Sequence, residues 1–190
     1  MLLRSMRVVK AGVLLLAISA PAWGAESLDQ LLVAAEKGDT PAMYQAGVEL
    51  LKTEKGSDRG IDFLVKVAND QQSELRQKAQ VWLGRAYRDG LAGIPKDVKK
   101  AFTYFEQAAG KDGKDPEAQY ELGKAYLNGT GTDRNLVSAY MWTELSLHKP
   151  SSVSAQAKQQ KQQLEGMLTD LQKEKAVLLV SQLEALYLNQ

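Results

Sequence analysis

Apolar residues recur at three- and four-residue intervals along most of the chain, the spacing of helices with one buried stripe. In AQVWLGRAYRDG, from Ala79, residues Val81, Leu83, Ala86 and Tyr87 hold that spacing, and Gly90 ends it as a C-cap glycine does. The pattern returns as AMYQAGVELL from Ala42 and AQYELGKAYLNG from Ala118, at offsets of 37 and 39 residues. Each copy is followed by a second apolar-periodic stretch: GIDFLVKVA from Gly60, AFTYFEQAA from Ala101, AYMWTELSL from Ala139. Gly47, Gly84 and Gly123 share one position, Tyr87 and Tyr126 another, Gly90 and Gly129 a third. Identity over a full period marks a repeat, here a unit of two helices.

Local signals place the helix ends. Asp115 reads as an N-cap with Pro116 as the first helical residue, and Thr40-Pro41 reads the same way in the first unit. The interior glycines each cost about 1 kcal/mol against alanine. Their recurrence predicts a second helix crossing at that point, with Ala101, Ala108 and Ala139 as its small partners.

Flanking segments read as caps. Ser27 and Gln30 form a capping box before a stripe of Leu28, Leu31, Leu32 and Ala35, and Gly38 stops that helix. After Lys149-Pro150-Ser151-Ser152 the spacing predicts helices over 153–168 and 170–188, joined at Thr169 with Gln172 as its box partner. The first carries a thin stripe (Val153, Ala157, Leu164, Met167, Leu168), and its run KQQKQQ reads as a solvated face. The second contains AVLLV at 176–180, apolar all round, which predicts protein contact on two sides. Val177 and Val180 serve there either a dimer or packing onto the preceding helix.

The first 24 residues differ from the rest. Arg4, Arg7 and Lys10 precede an apolar run at 11–20, broken only by Ser19, and Pro21-Ala22-Trp23-Gly24 follows. A basic, then apolar, then small-residue order is that of a secretory signal, with the cut expected after Gly24. The run is about half the roughly 20 residues of a spanning helix, so an uncleaved anchor is the alternative. The expected location is periplasmic or secreted, without stable membrane insertion after cleavage.

Composition then removes whole classes of chemistry. The 190 residues include no cysteine and one histidine, which excludes disulfides, thiolate nucleophiles, sulfur-bound zinc and two-histidine metal sites. The net charge is +1, but removing residues 1–24 leaves 21 Lys+Arg against 23 Asp+Glu. No nucleic-acid partner is expected from that balance. Eleven of the twelve aromatics after Gly24 lie inside the repeats and read as hairpin core. G-x-S-x-G, P-loop and H-E-x-x-H patterns are absent, so no catalytic residue, metal or cofactor is expected. His148, beside Lys149-Pro150, reads as a residue placed favourably at a helix C-terminus. Asn128-Gly129-Thr130 matches a glycosylation acceptor by composition alone.

The run A-Q-Y-x-L-G-x-x-Y-x-x-G, a Gly-bearing loop and then A-x-x-Y/W-x-x-x-A-A resembles the Sel-one-like repeat family, a relative of tetratricopeptide repeats. Ala118 to Gly129 fit best, and Gly90-Leu-Ala-Gly93-Ile94-Pro95-Lys-Asp97 resembles the family's loop with one inserted residue. Gly129-Thr130-Gly131 keeps the paired glycines without the proline. The first unit departs most: Ala46 stands where leucine is usual, and KTEKGSD lacks the paired glycines.

This resemblance, over about 28–148, implies an all-α fold: a right-handed α-solenoid of helical hairpins with capping helices at both ends. It divides the chain into a signal (1–24), an N-terminal cap (25–38), repeats at about 41–77, 78–115 and 116–148, and a C-terminal helix pair (149–190). The first helices of such units line the concave face. That assigns to it Tyr44, Val48 and Lys52, then Val81, Arg85 and Arg88, then Tyr120, Lys124 and Asn128. Four of the nine are cationic and none is acidic, which gives two readings: a basic groove for an acidic segment, carboxylate or anionic surface, or ordinary solvated positions. The function implied is a non-catalytic periplasmic adaptor binding a protein partner. The alternatives are an immunity protein neutralising a periplasm-directed effector such as a lipase, and cell-wall ligand binding or an enzyme.

Overall fold

In the computed structural model, residues 27–53, 56–110 and 114–187 are described; the expected signal and its cut after Gly24 lie outside them. Helix α1 (Leu28–Glu36) starts at a reciprocal cap. Ser27 Oγ accepts from the Gln30 N–H at 3.3 Å, and Gln30 Oε1 accepts from the Ser27 N–H at 3.0 Å. Gly38, at φ +92°, turns the chain into α2 (Thr40–Lys52). There the N-cap is Asp39, not Thr40: its carboxylate accepts from the Ala42 N–H at 2.7 Å, and Thr40 and Pro41 are already helical. A carboxylate is a stronger acceptor than a hydroxyl, and its charge suits the helix N-terminus. Asp115 caps as expected, accepting from the Glu117 and Ala118 N–H groups at 2.9 Å each.

Helices α3 (Ser57–Asn69), α4 (Arg76–Asp89), α5 (Val98–Ala109), α6 (Pro116–Asn128), α7 (Leu136–Leu145), α8 (Ser154–Met167) and α9 (Asp170–Tyr187) follow, with no strand among the described residues. Pairs α2–α3, α4–α5 and α6–α7 form hairpins; α3 packs on α4, and α5 on α6. The result is an α-solenoid of helical hairpins, with α1 against α2 at one end and α8 and α9 against α7 at the other.

A second helix does cross at each interior glycine, but the alanines are not what fills the space. A Cβ at Gly47 would lie 2.7 Å from Leu64 Cγ, one at Gly84 2.5 Å from Phe105 Cε1, and one at Gly123 2.5 Å from Thr143 Oγ1. Leu64, Phe105 and Thr143 each stand four residues after a small one (Gly60, Ala101, Ala139), one turn along the same face. The buried Ala101 and Ala139 let the helices approach, and the larger residue one turn on uses the room.

The loops inside the second and third hairpins close alike. The Asp97 N–H donates to the Tyr87 carbonyl and the Asn135 N–H to the Tyr126 carbonyl, both at 2.9 Å. Asp97 and Asn135 then cap α5 and α7. The tyrosine rings are half-buried against the core: Tyr87 stacks on Tyr104 at 5.9 Å, and Tyr126 meets Phe102 edge-on at 5.4 Å. The inserted residue of the first loop is absorbed in a 3-10 turn, Leu91–Gly93, that forces Ala92 to φ 52°. Alanine there costs about 1–2 kcal/mol against glycine, partly offset by the greater unfolded-state freedom of glycine. Ala92→Gly is therefore expected to stabilise the protein by about 0.5–1 kcal/mol, read as a rise of roughly 1–4 °C in thermal melting.

At the C-terminal end α7 is apolar almost all round, so it takes both α8 and α9. Thr143 Oγ1 donates to the Ala139 carbonyl at 2.6 Å and accepts from Gln160 Nε2 at 2.7 Å, all of it buried. KQQKQQ is thus not wholly solvated. Gln160 falls on the face of Val153, Ala157, Leu164 and Leu168, and Thr143 satisfies its amide there. Helix α9 contacts the protein on one side rather than two. Ala176 and Val180 are buried, while Val177 and Leu178 are 52% and 58% exposed. Its partner is chiefly α7, not the preceding α8. His148 fixes that contact through Nε2, 2.8 Å from Glu184 Oε1.

Candidate partner-binding surface

Lys78, Val81, Trp82 and Arg85 recur at helical spacing on α4 and so share one face. With Tyr44 of α2, the first turn of α6 (Pro116, Glu117) and the strap 149–152, they line an open groove of about 620 Å³. Trp82 is half-buried against it, and the Arg85 guanidinium lies 5.9 Å from the indole centroid. Burial pushes the Tyr44 phenol above its ordinary pKa, against a hydrogen bond with Trp82. Burial likewise raises the Asp115 carboxyl, although two backbone N–H groups pull it down.

The face carries acids beside its cations. Arg85 Nη2 lies 2.9 Å from Glu117 Oε2, and the other Glu117 oxygen accepts from Ser152 Oγ, which ties the strap to α6. Arg88 donates from Nε and Nη2 to Asp89 at 2.7 and 2.6 Å, and Nη1 lies 2.5 Å from Glu121 Oε2. These contacts hold Arg88 more firmly protonated and keep Asp89 below the usual carboxylate range. Both arginines therefore serve as rungs between first helices, with their charge already matched.

Of the remaining expected positions, Val48 and Val81 are core, with Val81 forming the groove floor. Lys52 is exposed and paired with Glu49 at 2.6 Å. Tyr44 and Tyr120 are half-buried; Lys124 and Asn128 are exposed at the far end of α6. Trp82, Glu117, Glu121 and the strap were not foreseen. Trp82 was legible, since it lies one residue from Val81 and three from Arg85. Glu117 and Glu121, four apart on the next first helix, have the spacing that meets Arg85 and Arg88. Among the described residues, Lys78 and Lys149 line the groove without an ion pair. No three His, Asp or Glu side chains among those residues are placed to hold a metal ion, and no described helix is long and apolar enough to cross a membrane.

The family model described as Sel1 repeat matches residues 77–112 and 116–148, the α4–α5 and α6–α7 hairpins with their loops. The chain carries Sel1 repeats. The α2–α3 hairpin lies outside that match, although it stacks in the same array. The Sel1-repeat chain is similar to the crystal structure of c5321, a protective antigen present in uropathogenic Escherichia coli strains displaying an SLR fold. The TM-score is 0.72 with 25% identity, over 84% of this chain and 33% of that one, so this chain spans about a third of that protein's length. It is also similar to a Sel1 repeat protein from Oxalobacter formigenes, with a TM-score of 0.56 and 29% identity, over 72% of this chain and 97% of that one. No curated protein matches the chain. Sel1-repeat folds generally mediate protein–protein interaction and are typically non-catalytic scaffolds.

Proposed function

We propose that the protein is an exported, non-catalytic adaptor that holds a segment of a partner protein along the face of α2, α4 and α6. The groove between Tyr44, Trp82 and the 149–152 strap carries this reading. It offers two aromatic surfaces, and the Arg85–Glu117 ion pair braces α4 against α6 along it. Aromatic and arginine side chains in such channels supply most of the energy of protein recognition. The order of charges and apolar residues over 1–24 supports export.

Photo-crosslinking in the native host tests it. A benzophenone amino acid at Lys78 or Ser151 is expected to give a discrete adduct in the cell-envelope fraction, and the same group at Glu106, on α5, none. Trp82→Ala should lower the yield at least tenfold, since a tryptophan that a partner covers at the centre of an interface is worth about 2 kcal/mol or more. Equal yields from Glu106, or no effect of Trp82→Ala, would overturn the assignment of the binding face.

A further inference from the structure

A second, smaller hollow lies beyond the groove, at the other end of the same first helices. Val98, Ala101, Phe102 and Phe105 of α5 enclose it with Ala125 of α6, and its wall is almost wholly apolar. Its volume is about 50 Å³. A cavity of about 150 Å³ takes up benzene, and the hollow has about a third of that volume. It therefore fits the branched end of a valine, leucine or isoleucine side chain and is short of a benzyl group.

The charges at its rim are unequal. Glu121, the acid lining the hollow, lies against Arg88, which Asp89 also holds. Lys124 helps to depress Asp89 at a distance but makes no ion pair or hydrogen bond among the described residues. The unmatched charge beside the apolar hole is therefore one ammonium group. We propose that this hollow receives a valine, leucine or isoleucine side chain of the bound segment, with a neighbouring carboxylate on Lys124. The proposal rests on the reading of this face as the partner-binding one. Glu117 at the groove and Ala125 at the hollow are eight residues apart on α6, about 12 Å along the axis. An extended segment spans that distance in about three to four residues.

N-acetyl-L-leucine carries both groups and serves as the probe, titrated into the ¹⁵N-labelled protein. It is expected to shift the amides of Ala101, Phe102, Ala125 and Thr130, saturating in the millimolar range. N-acetyl-L-phenylalanine and N-acetyl-L-alanine should shift them at least fivefold less at equal concentration. N-acetyl-L-leucinamide, which lacks the carboxylate, and Lys124→Gln should each weaken binding about 3–10-fold. Val98→Phe, a change at a partly exposed residue of the rim, should abolish it while leaving the other amide positions in place. Equal shifts from all three acids, no shift at these amides, or indifference to both variants would overturn the proposal. Adducts from Lys78 would survive any of those results, so failure of the hollow and failure of the groove reading are separable.

Discussion

Gly131→Ala is expected to destabilise the protein by about 2–4 kcal/mol, and Gly93→Ala by only about 1 kcal/mol. Both glycines sit in the left-handed region, at φ +77° and +80°, so the backbone strain on adding a Cβ is shared. Their surroundings differ. A Cβ at Gly93 meets nothing within 4 Å, whereas one at Gly131 would lie 2.1 Å from the Val98 carbonyl oxygen and 3.1 Å from Phe102 Cβ. A carbonyl at the start of a helix cannot swing aside as a side-chain tip can. Relief requires moving the α6–α7 loop off α5, which separates consecutive units of the array. That loop also brings Thr130 to the small apolar hollow, so the same change should weaken whatever binds there. Thermal melting decides it, with an expected fall of roughly 5–15 °C for Gly131→Ala and about 2–4 °C for Gly93→Ala. Equal falls would show that the loop yields and that this contact does not hold the units in register.

The two glycines also mark how far the sequence is legible. Periodicity, repeat spacing and local capping follow short-range rules, and they placed the hairpins, the Ser27 and Thr169 boxes and Gly90 correctly. The Asp39 cap differs by one residue because two adjacent acceptors competed and the charged one won. What the pattern could not give is which side chains meet across units. Arg85 and Arg88 read as cations on a face without acids because the repeat register places Tyr120, Lys124 and Asn128 of α6 on that face and leaves out Glu117 and Glu121. Their carboxylates stand 32 and 33 residues later, on α6. Gln160 read as solvated for the same reason: its partner, Thr143, lies on another helix. For the candidate site, Tyr44, Val81 and Arg85 were legible as neighbours on one face, and the carboxylates that meet the arginines were not. Matching Arg85 to Glu117 and Arg88 to Glu121 transfers the unmatched cations to Lys78, Lys124 and Lys149, which shifts the expected acidic contacts to the two ends of the face.

The repeat's signature glycine gives the last expected result, a reversal of sign. In a helix interior, glycine to alanine normally stabilises by about 1 kcal/mol. Gly84→Ala is expected to destabilise by about 1–3 kcal/mol instead. Its Cβ would lie 2.5, 2.7 and 2.8 Å from three atoms of the Phe105 ring, which is 2% exposed, so the ring can turn away only by displacing its packed neighbours. Phe105→Leu alone should cost about 1–2 kcal/mol through lost packing. Together the two changes should cost at least 1 kcal/mol less than their sum, because a shorter side chain at 105 leaves room for the methyl group at 84. Denaturant melts of the four proteins measure that coupling. Additivity within about 0.5 kcal/mol would mean that the ring is not what demands a glycine. A coupling of the expected sign would identify positions 84 and 105 as one packing unit. The same logic then applies to Gly47 with Leu64 and to Gly123 with Thr143, where the methyl group would instead press on the buried Gln160 hydrogen bond. Each unit of the array thus keeps its glycine for the side chain four residues after the small residue of the second helix, and that side chain limits how closely the two helices of the hairpin approach.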